Sequence, residues 1–318
     1  MKTHRPSHRC ALWLPIHRGV STLIICTLLV AILVLTACGG STVSSPSIPA
    51  TTRTPSSTPA QLLQPFVTYH GGRVQLSPSA YLIFWGPSWQ TDPSLHLAMQ
   101  ALENYFAHVG GSSYESILTQ YYMQNPDGSR SYINNVTHFS TRQVWLDPAV
   151  PHADDQSCGV PTIRDASVLH EIIHAISTAH WIKDSQNATF FIYTPPAFAI
   201  AEPGWGCSGK DYCADHEWSS ALQISYSVDP ANCSRQGTSA EKLVWTSAHE
   251  QFESISDPTP GRSDDKLYKN EGWFHLDPRY GAEEIGDLCT RVQGSRDLNG
   301  ITFHLQAMWS NRDNRCIL

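Results

Sequence analysis

Two short strings in this chain carry residue types that can activate water on a metal ion. Ala248-His249-Glu250-Gln251-Phe252-Glu253 reads H-E-x-x-E, and Asp257 lies four residues further on. Positions i, i+4 and roughly i+8 of a helix lie along one face, so His249, Glu253 and Asp257 can converge on one cation. Zn²⁺ accepts imidazole and carboxylate ligands, and in zinc-hydrolase helices the Glu beside the first His deprotonates the metal's water. Glu250 holds that position here. A Glu in place of the second His departs from the usual H-E-x-x-H, and extra oxygen ligands favour a harder ion such as Ca²⁺. Glu284 and Asp287 can add such oxygens, and His216, three residues after Cys213, can supply an imidazole from a loop.

The second string is His170-Glu171-Ile172-Ile173-His174, with His180 six residues on. In the longer pattern H-E-x-x-H-x-x-G-x-x-H a Gly turns the chain so that the third His reaches the metal, and here that position is Ser177. An uninterrupted helix would set His180 ~15 Å along the axis from His170, too far to share an ion. The apolar stripe expected on this helix is Leu169, Ile172, Ile173 and Ile176, which turns His170, Glu171, His174 and Ser177 toward solvent. The 249 helix instead has apolar residues on two sides, Leu243, Val244, Trp245, Ala248, Phe252 and Ile255. The expectation is therefore a buried His249 and Glu253 beside a third polar side chain, with His170 and His174 exposed. Zn²⁺ is the expected ion, and Ca²⁺ or no ion are the alternatives.

The elements that must position these residues follow from periodicity. Ser79–Trp85 is aromatic and apolar between Pro78 and Gly86-Pro87 and reads as a buried strand. Asp92 caps a helix with Leu95, Met99, Leu102 and Phe106 near a 3.6 period. Further strands are expected at Arg142–Leu146, Thr189–Tyr193 and Leu222–Val228, and capped helices at Asp165–Trp181 and Ser239–Ser256. Strands alternating with amphipathic helices imply an α/β fold, a central mixed sheet with packed helices and disulfide-stapled irregular segments, with a zincin-like architecture among its options. Residues 65–318 are read as one domain.

Ahead of it, residues 1–37 read as a lipoprotein signal: Lys2, Arg5, Arg9 and Arg18 precede the apolar run Val20–Leu35, which ends in Leu35-Thr36-Ala37-Cys38. The Ser/Thr/Pro-rich stretch 38–64 cannot bury enough apolar surface to fold and reads as a stalk. Lipid on Cys38 would make the membrane a partner through the anchor alone, at the extracytoplasmic cell surface. The leader holds four of the 21 basic residues and none of the 28 acids, so its removal leaves 17 against 28 and a net charge of −11. That acidic balance argues against nucleic acid as a partner. Six cysteines follow Cys38. In an exported domain they suggest disulfides, with Cys207–Cys213 the pair that a short Gly-containing loop brings nearest.

Tyr69-His70-Gly71-Gly72 followed by Tyr81-Leu82-Ile83-Phe84-Trp85-Gly86, and Phe303-His304-Leu305-Gln306-Ala307-Met308-Trp309 with Cys316, resemble the two ends of the EXORDIUM-like, phosphate-induced protein family. Cys207, Cys213, His216 and Cys289 agree more loosely. The resemblance implies an extracellular, wall-associated protein and supplies no reaction. Two functions are therefore expected: a zinc-peptidase-like hydrolase acting on peptide or cell-wall substrates, or a non-catalytic module that holds Ca²⁺ or no ion and binds wall glycans or a partner protein.

Overall fold

The run Ser79–Trp85 forms β1, an inner strand of a five-stranded sheet, and its alternate residues face opposite layers. Leu82 and Phe84 enter one apolar cluster, while Ile83 and Trp85 enter another. A parallel strand covered on both faces has to be apolar throughout, which is why it carries no polar alternation. In the computed structural model of the chain the described residues are 66–184, 186–233, 239–261, 270–277 and 281–318. All belong to the second of the chain's two units, Gln61–Leu318. The leader, Cys38 and the stalk lie outside them. Among the described residues no helix is long and apolar enough to cross a membrane.

Around β1 stand β2 (Val144–Asp147), β3 (Ala188–Tyr193), β4 (Asp215–Ser219) and β5 (Ile224–Val228), in the order β4-β5-β3-β1-β2. The central pairs are parallel, and β4 is an antiparallel edge strand in which His216 lies opposite Ser227. The sheet is mixed, as expected, with its boundaries moved. Thr141–Gln143 forms a 3₁₀ turn before β2, and Gln223 at φ 54° delays β5 to Ile224.

Helix α1 (Pro93–Val109) starts on Asp92, whose carboxylate accepts the amides of Ser94 and Leu95 at 2.8 and 3.3 Å, with Pro93 already set for helical φ. Leu95, Ala98, Met99, Leu102, Tyr105, Phe106 and Val109 are its buried stripe. It packs with α3 (Ser239–Ser256) on one face of the sheet, and α2 (Asp165–Thr178) covers the other. Each fully buried Leu or Phe in these layers contributes about 1.5–3 kcal/mol.

Helix α2 departs from expectation in three ways. Arg164 precedes it with extended backbone and no side-chain cap, and Asp165 is instead the first helical residue, accepting from Tyr226 Oη. The helix stops at Thr178: His180 takes φ 54° and the Trp181 amide returns to Ile176 O at 3.0 Å, a Schellman ending rather than a continued helix. The buried residues are Val168, Glu171, Ile172 and Ala175, so the stripe is rotated and Glu171 faces inward.

The cysteines pair as Cys158–Cys207, Cys213–Cys233 and Cys289–Cys316, which replaces the expected Cys207–Cys213. The short loop is closed without sulfur. Asp211 accepts the Cys207 amide at 2.9 Å and the Asp211 amide returns to Cys207 O at 2.8 Å, leaving both thiols directed to other segments.

Candidate metal centre

Helix α3 is buried on nearly every side, yet half of its turns are polar. Leu243, Val244, Ala248, Phe252 and Ile255 join the core shared with α1. Its buried polar residues each need a partner, because an unpaired buried group costs about 1–3 kcal/mol. Tyr105 donates to Gln251 at 2.6 Å and Gln251 donates to Thr137 at 2.9 Å, while Ser247 donates to Asp229 at 3.0 Å. That leaves His249, Glu250 and Glu253, which face a cavity of about 310 Å³.

Four segments supply most of this cavity's ionisable side chains. Edge strand β4 supplies Asp215 and His216, α3 supplies His249, Glu250 and Glu253 with Asp257 just past its end, and the segment 284–290 supplies Glu284, Asp287 and Thr290. The segment 211–214 before β4 adds Tyr212 and Cys213. Two disulfides hold these pieces: Cys213–Cys233 lies just before β4, and Cys289–Cys316 ties down the segment carrying Glu284 and Asp287.

Each imidazole is held through one ring nitrogen: Nε2 of His216, which also lies 3.6 Å from Glu284 Oε1, and Nδ1 of His249. His216 Nε2–H donates to the Asp257 carbonyl at 3.1 Å, so Nδ1 faces Glu250 Oε2 at 3.3 Å and Glu253 Oε2 at 3.9 Å. Gln306 is held by Nε2 donating to Gly286 O at 2.6 Å, and its amide meets His249 Nδ1 with Nε2 at 3.0 Å and Oε1 at 3.3 Å. His249 Nε2 then faces Glu253 Oε2 at 3.0 Å, Asp287 Oδ1 at 3.6 Å and Glu250 Oε1 at 4.0 Å. The amides of Gly286 and Asp287 both donate to Glu253 Oε1 at 3.0 Å, so Oε2 alone is free toward the imidazoles. Outer hydrogen bonds of this kind set tautomer and ring orientation at metal sites.

Gly286 makes the close approach possible. A Cβ there would stand 2.7 Å from Glu253 Oε1 and 2.7 Å from His249 Nδ1.

The sequence candidates divide accordingly. His249, Glu253 and Asp287 form one group whose ligand atoms lie within 4.8 Å of one another, His216, Glu253 and Glu284 form a second, and Asp215, His216 and Glu250 a third. Asp257 belongs to none of them: its carboxylate accepts the Thr259 amide at 3.2 Å, and it serves the cavity through its carbonyl. His216 sits on a strand rather than a loop and is 4 % exposed. His170 and His180 are exposed and join no group, whereas His174 meets Glu171 and a residue the sequence did not suggest, Asp147. Gln306 and Asp215 were also unanticipated. A sign of the first was available, since Gln306 sits between Leu305 and Ala307, in an apolar stretch where all three residues are buried.

The charges explain what the cavity requires. Among the described residues, nine carboxylates and two imidazoles line it, with no Lys or Arg. Without an ion the groups compensate through protons. Burial opposes a charge on His249, but Glu253, Glu250 and Asp287 outweigh it and raise the imidazole to about 10. His216 is driven well upward against its burial by Glu284, Glu250 and Glu253. Burial, with Glu253 beside it, lifts Asp287 to about 7, and burial lifts Asp215 and Glu284 well above the carboxylate range. A divalent cation would remove the need for each of these shifts. Zn–ligand bonds of ~2.0–2.1 Å imply tetrahedral edges of ~3.3 Å. The 3.0 and 3.6 Å separations around His249 Nε2 bracket that length.

No family model, no curated protein and no solved structure matches the chain.

Proposed function

We propose that the protein is a lipid-anchored, extracytoplasmic metal-dependent hydrolase acting on peptide or cell-wall substrates. The observation that carries the reading is a cavity lined, among the described residues, by nine carboxylates, into which two imidazoles turn their unshared nitrogens. His249 Nε2, Glu253 Oε2 and Asp287 Oδ1 would hold the ion, with His216 and Glu284 beside them. Zn²⁺ at such a place polarises a carbonyl and makes a bound water acidic. Glu250 is the residue to take that proton, because its two oxygens lie between the imidazoles, 4.0 Å from His249 and 3.3 Å from His216. The lipobox-like leader and the EXORDIUM-like ends support the location, and the disulfides suit an oxidising compartment.

A second reading is a non-catalytic surface module with Ca²⁺ in the same cavity. The excess of carboxylate over imidazole favours it, since Ca²⁺ takes six to eight oxygens. Glu250→Gln separates the two. In the hydrolase the variant keeps its ion and loses about 10²-fold or more of peptide or wall-fragment cleavage. Cleavage by the wild type that is unaffected by Glu250→Gln, or none with any ion loaded, rejects the hydrolase.

A further inference from the structure

We infer that a second cation site, independent of the α3 cavity, lies at the carboxyl end of β2, where Asp147, Glu171 and His174 meet. Asp147 is the last residue of β2, and Glu171 and His174 are one turn apart on α2. The carboxyl ends of parallel strands, beneath the helices that follow them, are where α/β sheets place ligands. The inference does not rest on the hydrolase reading.

The three side chains are arranged as ligands rather than as a surface ion pair. Asp147 Oδ1 accepts the Ala149 amide at 2.8 Å, which fixes the carboxylate, and Oδ2 faces His174 Nδ1 at 3.6 Å. Glu171 Oε2 lies 3.4 Å from the same nitrogen. The three ligand atoms all fall within 4.8 Å of one another. Trp145 stands edge-on to the imidazole at 5.9 Å and restrains it.

Burial sets this cluster apart from an exposed acidic patch. Asp147 is 6 % and Glu171 4 % exposed. Glu171 Oε1 is buried with no hydrogen-bond partner. Glu171 Oε1, buried without a partner, is a standing cost, and two buried carboxylates share a single imidazole. A divalent ion seated between them satisfies both. His174 is 46 % exposed at its side chain, so the ion is reached from solvent and retains water on its open side. One nitrogen and two oxygens with open positions suit a first-row divalent ion such as Mn²⁺, Fe²⁺ or Zn²⁺ better than Ca²⁺, which wants more oxygens, or a soft ion, which wants sulfur.

The test uses the chelator-stripped protein titrated with Mn²⁺, with the free-ion electron paramagnetic resonance signal reporting uptake. Wild type is expected to bind one equivalent more than His174→Ala and one more than Asp147→Asn. His249→Ala is expected to keep that equivalent. His174 is half exposed and outside the apolar core, so its replacement should leave the protein folded by circular dichroism, and the result then stands even if Asp147→Asn folds poorly. Absence of Mn²⁺ uptake by the wild type, or uptake by His174→Ala equal to wild type in number and affinity, overturns the inference.

Discussion

Helices α2 and α3 carry nearly the same string, H-E-x-x-H and H-E-x-x-E, and the structure treats them differently. On α3 the His and the i+4 Glu both enter one cavity, because the helix is enclosed by α1, the sheet and the segment 284–290. On α2 the two histidines of the better motif match are both exposed, and the intervening Glu171 is the residue that turns inward. A five-residue string fixes spacing along a helix axis. Which of its residues see a common point depends on where the apolar stripe lies, and Val168, Ile172 and Ala175 rotate α2 so that Glu171 sits beneath β2's end. The difference teaches that local motif similarity ranks below burial when a ligand set is assigned.

The pH dependence of the stripped protein gives the largest expected effect. Burial raises Glu115 to about 7 and Asp229, also opposed by Glu250, to about 8, from ordinary values of 4.5 and 3.8. Groups raised on folding add stability below the unfolded value and lose it as pH rises through the folded one. Thermal melting in chelator should therefore fall steadily from about pH 5 to about pH 8. Added Zn²⁺ should oppose the trend, since ligand binding requires deprotonation. A flat profile in chelator would mean that these buried carboxyls are charged and compensated.

A smaller effect is expected from Gln306→Leu, which removes the side-chain amide that meets His249 Nδ1 while leaving every proposed ligand in place. Zn²⁺ affinity, measured by competition with a chelator, should drop about 10–100-fold. Unchanged affinity would show that the ring is oriented without Gln306. The smallest effect sharpens the contrast between the helices: His170→Ala and His180→Ala should alter neither metal uptake nor stability beyond about 0.5 kcal/mol. Loss of an ion in either variant would return the H-E-x-x-H string to consideration.

Much of the frame was legible in the sequence because it rests on local patterns. The uninterrupted apolar run of β1, the Asp92-Pro93 start of α1 and the α3 span of Ser239–Ser256 all follow from neighbours within a few residues. Non-local pairing was not legible. Cys207 reaches Cys158 across 49 positions, and its short-range alternative failed because Asp211 already closed that turn. Asp147, Asp215 and Gln306 join their clusters through strand register and chain return, which no spacing along one element encodes. Asp257 shows the converse: its spacing from Glu253 suited a shared ligand face, but the helix ends at Ser256 and its carboxylate turns to Thr259.

The central claim is that the α3 cavity holds a metal ion on His249, Glu253 and Asp287. Crystals of the protein grown with Zn²⁺ and measured on both sides of the zinc absorption edge test it most directly. An anomalous peak is expected about 2.0–2.2 Å from His249 Nε2 and Glu253 Oε2. That peak should be absent from His249→Ala crystals. A wild-type map with no anomalous density within ligand distance of His249 would contradict it.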